Sequence, residues 1–270
     1  MTVYAMQKRG ICNRVKCLIS ALRMSENMDA KIYWPIKGVN HNCSFYDLFS
    51  NEGMGVTTVP RSVSPKNRWG TWRFYLTKKE VKSLPKNIYN IDYLYDKTPK
   101  HIMEELKECI SFLKIQDEIT EIVNDFSDSN FDSNTVSVHI RSWVLDGSNA
   151  AKVRNRAFSI NSYFNVLDKM EDDKRFFIAT DNDSMIKKSR KRYGKRVISY
   201  PHHHLNLNKS NSGKSAFIDM LLLSKNNAIV GDYKTSSFTE MAWWFGGCTA
   251  KLHLGHCCPS PPSNSKRLPS

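Results

Sequence analysis

The sequence lacks the apolar run of about 18 residues that a membrane-spanning helix needs. It also lacks a C-x-x-C pair, and its seven cysteines are odd in number. The first ten residues, MTVYAMQKRG, show no positive start followed by a long apolar stretch, so a secretory signal is not expected. Together these features favour reduced thiols and a cytoplasmic location over a disulfide scaffold.

The composition is that of a globular protein. Of 270 residues, 40% are hydrophobic and 24% are charged. These fractions exclude a disordered chain and a collagen-like repeat, and they leave enough apolar material for a sizeable core. The length suits two domains or one large domain.

Acidic residues are too few to balance the basic ones. The sequence has 26 Asp and Glu and 40 Lys and Arg, which gives a formal net charge of +14. Nucleic acid, an anionic membrane surface and a phosphate-bearing small ligand all suit that balance. Much of the excess lies in residues 187–196, which we interpret as a solvated helix face because Tyr193 is the one aromatic residue there.

The first half opens with a strand, loop, helix and strand. Residues 2–6 predict a strand, residues 8–13 a loop, and residues 31–34 a second strand. From Arg14 onward apolar residues repeat at helical spacing: Val15, Leu18, Ile19 and Leu22. This order is typical of a Rossmann-like layer.

A long helix is predicted over residues 100–125, where the apolar residues keep one face. The polar segment 125–134 reads as turns, and it separates an N-terminal lobe, residues 1–128, from a C-terminal lobe, residues 129–258. In the irregular stretch before the helix, residues 71–77 are the best candidate strand.

The second half alternates strands with helices, which predicts a parallel sheet covered on both faces. The predicted strands cover residues 135–140, 175–179, 196–199 and 228–231, and the predicted helices cover residues 162–170, 183–193, 215–225 and 238–245. The Pro/Ser-rich tail, residues 259–270, is expected to be disordered.

Ligands of such sheets bind at the carboxyl ends of the strands. Segment 10–14 follows the first strand, and its backbone N–H groups at a helix start are able to meet an anion, although a plain turn explains Gly10 equally well. His139 and Arg141 point to one face of their strand. Arginine in that place is suited to clamp a phosphate, and a salt bridge across the protein is the alternative.

Two further strand ends carry polar groups. Asp181 belongs to the turn 179–184, where helix capping is a sufficient explanation. Thr235, Ser236, Ser237 and Phe238 begin a helix, and hydroxyls with free N–H groups there form a natural phosphate seat. N-capping is the alternative, and it needs only one of those hydroxyls.

Other signals are weak. The segment 212–215, SGKS, lacks the first glycine and the preceding strand of a P-loop. Consecutive histidines at 202–204 alternate faces, and His253, His256, Cys257 and Cys258 have poor zinc spacing, so no metal site is expected. The aromatic residues 243–245 are interpreted as core.

Taken together, the segments VSVHIRSW, FFIATDNDSMIKKSRKRYG, SAFIDMLLLSKNNAIVG and KTSSFTEMAWWFGG resemble the donor-binding domain of the GT-B fucosyltransferases. That superfamily includes α1,6-, nodulation and protein O-fucosyltransferases. The first-half segments RGICNRVKCLISALRMSE, IYWP and CSFYDLF are similar to the N-terminal lobe of small bacterial and viral glycosyltransferases. The resemblance excludes residues 55–125 and the tail, and it implies two Rossmann-like domains facing a cleft.

The resemblance also implies roles at the donor. Arg141 would hold the β-phosphate of GDP-fucose, His139 would lie by the guanine or its ribose, and Asp219 would accept from the guanine N–H groups. Diphosphate contacts would come from the segment 235–238. The remaining donor-side residues would be Gly10, Asn13, Arg14 and Asp181.

The sequence departs from the α1,6 enzymes after the H-x-R motif. Ser142 replaces their second arginine, Asn182 replaces the second Asp of their ATDD turn, and Asp146 is the nearest carboxylate and thus the candidate base. The expected reaction is inverting, metal-independent transfer of fucose from GDP-fucose to a glycan hydroxyl, without a cofactor.

Three alternatives stay open on the sequence. One is a GT-B transferase that uses another nucleotide sugar, another a basic nucleic-acid-binding protein, and the third a sugar-binding relative without catalysis. Nucleic acid is not the expected partner. The expected location is the cytoplasm, or the host cytoplasm for a viral protein.

Overall fold

The structure is a computed structural model, and it describes eleven stretches of the chain. They are residues 3–6, 10–25, 30–34, 42–50, 56–58, 68–69, 76–77, 100–141, 160–201, 212–231 and 236–253. The predicted strand 71–77 overlaps them only at its last two residues, and the predicted tail lies outside them.

A small parallel sheet forms in the first half. Its strands are β1 (Val3–Met6), β2 (Ala30–Tyr33) and β3 (Val56–Thr58), in the order β1-β2-β3. Helix α1 (Ile11–Met24) connects β1 to β2, as a βαβ unit requires. A separate antiparallel pair joins β4 (Arg68–Trp69) to β5 (Leu76–Thr77).

The second half contains a five-stranded parallel sheet of order β10-β9-β6-β7-β8. Its strands are β6 (Thr135–Ile140), β7 (Arg175–Thr180), β8 (Val197–Ile198), β9 (Ala228–Gly231) and β10 (Lys251–His253). Every residue of β6 is buried, as expected of a central strand that is covered on both faces. The predicted parallel α/β sheet is therefore confirmed, with β10 as an edge strand that the sequence patterns did not reveal.

Helices cover both faces of this sheet. They are α4 (Ile160–Leu167), α5 (Asp183–Tyr193), α6 (Ser212–Leu223) and α7 (Ser237–Phe245), and each differs from its predicted bounds by three residues or fewer. Strand β6 alternates between the two faces: Val136, Val138 and Ile140 pack in the cluster that includes α4, whereas Ser137 and His139 face α6 and α7. This alternation decides which side chains reach the site described below.

The prediction of one long helix over residues 100–125 is wrong, because the structure has two helices there. Helix α2 (Lys100–Phe112) ends before a short extended segment, and α3 (Asp117–Asn130) begins after it. In the break, Ile115 forms a β-bridge with Phe49, and the N–H group of Gln116 donates to the Leu48 carbonyl at 3.0 Å. Pairing with a distant segment thus interrupts a pattern that is apolar on both sides of the break.

Two further expectations need correction. Helix α1 begins at Ile11, with Gly10 as its N-cap, so residues 11–13 are helical and not part of a loop. Helix α3 continues to Asn130 through most of the polar segment that was predicted as turns. The domain boundary at residue 128 stays a prediction, and the nearest break between elements is the turn at residues 131–134.

One hydrophobic cluster runs through both halves of the chain. It joins buried residues of α1, α2 and α3 to those of α6 and α7. Phe49 packs edge-on against Phe217 with ring centroids 5.2 Å apart, and Trp243 and Trp244 are buried as predicted. Helix α1 is therefore anchored in the core that α7 also occupies.

A buried polar relay fixes β6 against the end of α6. The Ser137 hydroxyl donates to the Leu223 carbonyl at 2.8 Å and accepts from the Asn226 side-chain amide at 2.9 Å. Ser137 is fully buried and Asn226 is nearly so. Buried polar groups need hydrogen-bond partners, and the Ser137 hydroxyl is the partner of two of them, the Leu223 carbonyl and the Asn226 amide.

We expect Ser137→Ala to destabilise the protein by about 1–3 kcal/mol, because it leaves a buried carbonyl and a buried amide unsatisfied. Chemical denaturation measures the change. Ser111→Ala is the matched control, since the Ser111 hydroxyl donates to the Glu108 carbonyl at the surface. That variant should stay within about 0.5 kcal/mol of the parent, and equal losses in both variants would contradict the role of the relay.

Candidate anion-binding site

The carboxyl ends of β6 and β9 and the N-terminus of α7 meet at one place. His139 on β6 lies beside Gly231 on β9 in the parallel register, and Arg141 follows directly after β6. Arg141 is half-buried and acts electrostatically on the His139 ring, which places the two side chains near each other. His139 and Arg141 thus both lie at the carboxyl end of β6, and their common face stays a prediction.

Gly231 allows α7 to approach the sheet closely. A Cβ atom at this position would lie 2.8 Å from Thr239 Oγ1 and 2.9 Å from Thr239 Cγ2, both closer than real contacts allow. It would also lie 3.5 Å from the Cβ atom of His139. Glycine is therefore required here by close packing.

His139 is held by two neighbours on α7. Its Nδ1 atom is hydrogen-bonded to the Thr239 hydroxyl at 2.8 Å, and its ring stacks on Phe238 with centroids 4.7 Å apart. Burial, and secondarily the nearby Arg141 charge, lowers the pKa of His139 to about 3. The imidazole is therefore neutral near pH 7 and is a hydrogen-bonding group, not a proton acceptor.

Ser236 is the N-cap residue of α7, but its side chain does not cap the helix. The residue is 2% exposed, and its Oγ atom has no hydrogen-bond partner among the described residues. A buried, unsatisfied hydroxyl at the positive end of a helix is suited to bind an anion, and we refer to this place as the anion seat. This observation argues against the capping alternative, while Ser237 and Phe238 are half-buried in the first turn.

The N-terminus of α1 faces the same place. Cys12, in its first turn, is buried, and both Arg141 and Glu240 act electrostatically on its thiol. Burial raises the pKa of Cys12 far above its usual range, so the thiol is protonated and unreactive. Gly10 and Asn13 belong to this turn, where the Asn13 N–H group donates to the Gly10 carbonyl at 3.0 Å.

An ion pair links the two helices. The Lys16 ammonium on α1 donates to both carboxylate oxygens of Glu240 on α7. Arg14, one turn from the α1 N-terminus, is instead buried in the first half, with its guanidinium 5.2 Å from the Trp34 ring centroid. Burial lowers the pKa of Arg14.

Two other predicted residues lie on α6 and directly after β7. Asp219 is 4% exposed within α6 and acts electrostatically on Tyr200, which follows β8. Burial, and secondarily Asp219, raises the pKa of Tyr200. Asp181 is exposed at the end of β7, and Asn182 is the residue that caps α5, by accepting from the Ser184 N–H group at 2.9 Å.

Some candidates fall outside the described residues. They are Asp146, Thr235, the histidines at 202–204, and the residues of the proposed His/Cys group other than His253. Within the described stretches no cluster of three His, Cys, Asp or Glu side chains is placed to hold a metal ion. None of the helices described there is long and apolar enough to cross a membrane.

Three residues of the site escaped the sequence patterns: Thr239, Glu240 and Lys16. Thr239 and Glu240 follow the S-S-F segment, but helical position alone does not identify their partners. Lys16 is buried on α1, where it shares a face with the buried apolar residues Cys12 and Ile19, one turn before and one turn after it. That charge on an apolar face is the one signal that would have marked it as a paired residue.

The low pKa of His139 makes stability depend on pH. The unfolded chain binds a proton near pH 6.5 and the folded protein does not until about pH 3, so stability falls as pH falls through that window. Between pH 7.5 and 5 we expect a loss of up to about 2 kcal/mol that His139→Asn largely removes.

Denaturation at the two pH values measures this loss. His253→Asn is the comparison variant: burial and Lys251 also lower the pKa of that histidine, but it is only half-buried, so this variant should keep most of the pH dependence. An unchanged pH dependence in the His139→Asn variant would show that His139 titrates normally.

Comparison with solved structures shows the fold. The chain resembles the fucosyltransferase NodZ from Bradyrhizobium, with 15% identity, a TM-score of 0.58 and coverage of 92% of each chain. It also resembles NodZ α-1,6-fucosyltransferase soaked with GDP-fucose (15%, TM-score 0.56, 90% of this chain and 92% of that one) and POFUT1 in complex with GDP (13%, TM-score 0.53, 94% and 97%). No family model and no curated protein sequence matches the chain. The α/β fold expected from the GT-B fucosyltransferase resemblance is thereby confirmed.

Proposed function

We propose that this protein is an inverting glycosyltransferase that moves fucose from GDP-fucose to a glycan hydroxyl without a divalent metal. The observation that carries this proposal is the unsatisfied, buried Ser236 hydroxyl at the N-terminus of α7, beside the end of β6. A diphosphate supplies the acceptor oxygens that such a hydroxyl and the neighbouring N–H groups need.

The chemistry requires stabilisation of the departing GDP. Negative charge develops on the β-phosphate as the bond from the sugar breaks, and the site offers a guanidinium, a hydroxyl and a helix N-terminus to that charge. Arg141 provides a planar pair of donors, while Ser236, Ser237 and the N–H groups around Phe238 provide the rest. Thr235 is assigned to the same seat from the sequence. Because these donors are fixed before reaction, they do the work that a divalent cation does elsewhere.

The neutral His139 ring has a different role. With Nδ1 bonded to Thr239, the ring is fixed against Phe238, and it is suited to contact the ribose or phosphate of the donor. Because burial lowers its pKa, it is poorly suited to be the base that takes the acceptor proton. Asp146 remains our candidate for that base, as predicted from the sequence.

Base selectivity is assigned to Asp219. A buried carboxylate accepts from two N–H groups of guanine, whereas adenine and uracil do not present that pattern. Tyr200 follows β8, and Asp219 acts electrostatically on it, so we assign Tyr200 to the surroundings of the proposed base site. Gly10 and Asn13 would close the opposite side from α1, and Asp181 and Arg14 stay predicted donor-side residues.

The two-lobe arrangement belongs to this proposal as well. Residues 1–128 are assigned to the acceptor side and residues 129–258 to the donor side, with the anion seat on the donor side. Two observations support the proposal. One is the shared fold, and the other is that structures of this fold include NodZ soaked with GDP-fucose and POFUT1 in complex with GDP.

Calorimetric titration of the protein with GDP, UDP, ADP and a short RNA tests the ligand class. We expect saturable GDP binding that survives EDTA and moderate salt, with UDP and ADP weak. Asp219→Asn should weaken GDP binding selectively, because the amide presents a donor to the guanine N–H groups. Preference for UDP would discard fucose, and RNA binding that collapses with salt would favour the nucleic-acid alternative.

Turnover of GDP-fucose tests the role of Arg141. We expect Arg141→Ala to lower kcat by about 10²–10³-fold, the usual cost of one preorganised donor to a developing negative charge. Arg141→Lys keeps the charge but loses the planar fork, so its loss should be smaller. Arg190→Ala is the control, since Arg190 lies on the exposed face of α5 and donates to the Ser199 hydroxyl just after β8. Normal turnover by Arg141→Ala would overturn the proposed mechanism.

A further inference from the structure

The Lys16–Glu240 ion pair is largely buried and joins residues 224 positions apart. The side chains are 7% and 13% exposed, respectively. Removing two charges from water is costly, and a buried pair is often no more stabilising than apolar residues of the same size. Its presence beside the anion seat therefore calls for a reason other than stability.

Glu240 lies where it would oppose an anionic ligand. Its backbone N–H group donates to the Ser236 carbonyl at 3.1 Å, so it belongs to the same first turn of α7 as Ser236 and Phe238. A carboxylate in that turn is attracted to the positive end of the helix. An unneutralised Glu240 would therefore compete with a phosphate for the end of α7.

Glu240 is also near the cation of the site. Both Glu240 and Arg141 act electrostatically on the same buried thiol, that of Cys12 in the first turn of α1. A carboxylate released in this low-dielectric region would attract the Arg141 guanidinium strongly. Lys16 binds both of the carboxylate oxygens and directs them toward α1.

We propose that Lys16 is a positioning residue of the donor site. It holds and neutralises Glu240, so that a nucleoside diphosphate is able to bind to the N-terminus of α7 and to Arg141. This inference rests on the proposed function, because it concerns the binding of the same diphosphate. It assigns Lys16 and Glu240 a part in ligand affinity without contact between either residue and the ligand.

Calorimetric titration with GDP tests the inference in four variants. Lys16→Met should raise the Kd about tenfold, since it frees an anion within reach of the phosphate seat. Glu240→Gln should bind GDP as tightly as the parent or more tightly, because it removes that anion. The double variant Lys16→Met/Glu240→Gln should return to within about twofold of the parent. Lys214→Met removes a cation of α6 that is paired with Glu118 of α3 in an exposed contact, and it should leave the Kd unchanged.

A purely structural pair gives a different pattern. In that case Glu240→Gln weakens GDP binding as much as Lys16→Met does, and the double variant shows no recovery. Thermal unfolding identifies a variant that fails to fold, and should Lys16→Met fail, Glu240→Gln and the double variant still decide between the two patterns. Parent protein that binds no GDP would refute the proposed function itself, whereas parent binding with no recovery in the double variant would refute only the role of Lys16.

Discussion

The close contact between Gly231 and Thr239 sets the position of α7 on the sheet, and the site depends on that position. With no Cβ at residue 231, Thr239 reaches His139 and fixes the ring through Nδ1. The same approach places the first turn of α7 at the ends of β6 and β9, where the Ser236 hydroxyl is buried without a partner among the described residues. One missing methyl group thus positions the neutral ring, the anion seat and the carboxylate that Lys16 holds.

Much of the second-half fold was predictable because its signals are local. Strand β6 has the predicted bounds since TVSVHI is a short β-branched run between turn residues, and α5 begins where Asn182 caps it. The break between α2 and α3 was not predictable, because the apolar pattern continues through it. What interrupts the helix is pairing of residues 115–116 with residues 48–49, and periodicity carries no information about such distant partners.

In the candidate site, too, local features were predictable from the sequence and contacts between distant residues were not. The period of a strand places His139 and Arg141 on one face, and burial of Ser137 on that face agrees with it. The S-S-F segment is open to two interpretations from the sequence, a phosphate seat or a helix cap. The structure decides for Ser236, because its hydroxyl has no partner among the described residues. Thr239 and the Lys16–Glu240 pair were missed, because each acts through a partner 100 or more residues away.

Helix α1 belongs to the first half by sequence but to both halves by packing. Its buried residues share one cluster with α6 and α7, and Lys16 is paired with Glu240 across that contact. Separating α1 from α7 would expose the buried apolar side chains at about 1.5–3 kcal/mol each and would release two buried charges. Any opening between the proposed lobes would therefore have to leave the α1–α7 contact intact. Because α1 shares its core with α7, the first turns of these two helices are held in a fixed relation on either side of the Lys16–Glu240 pair.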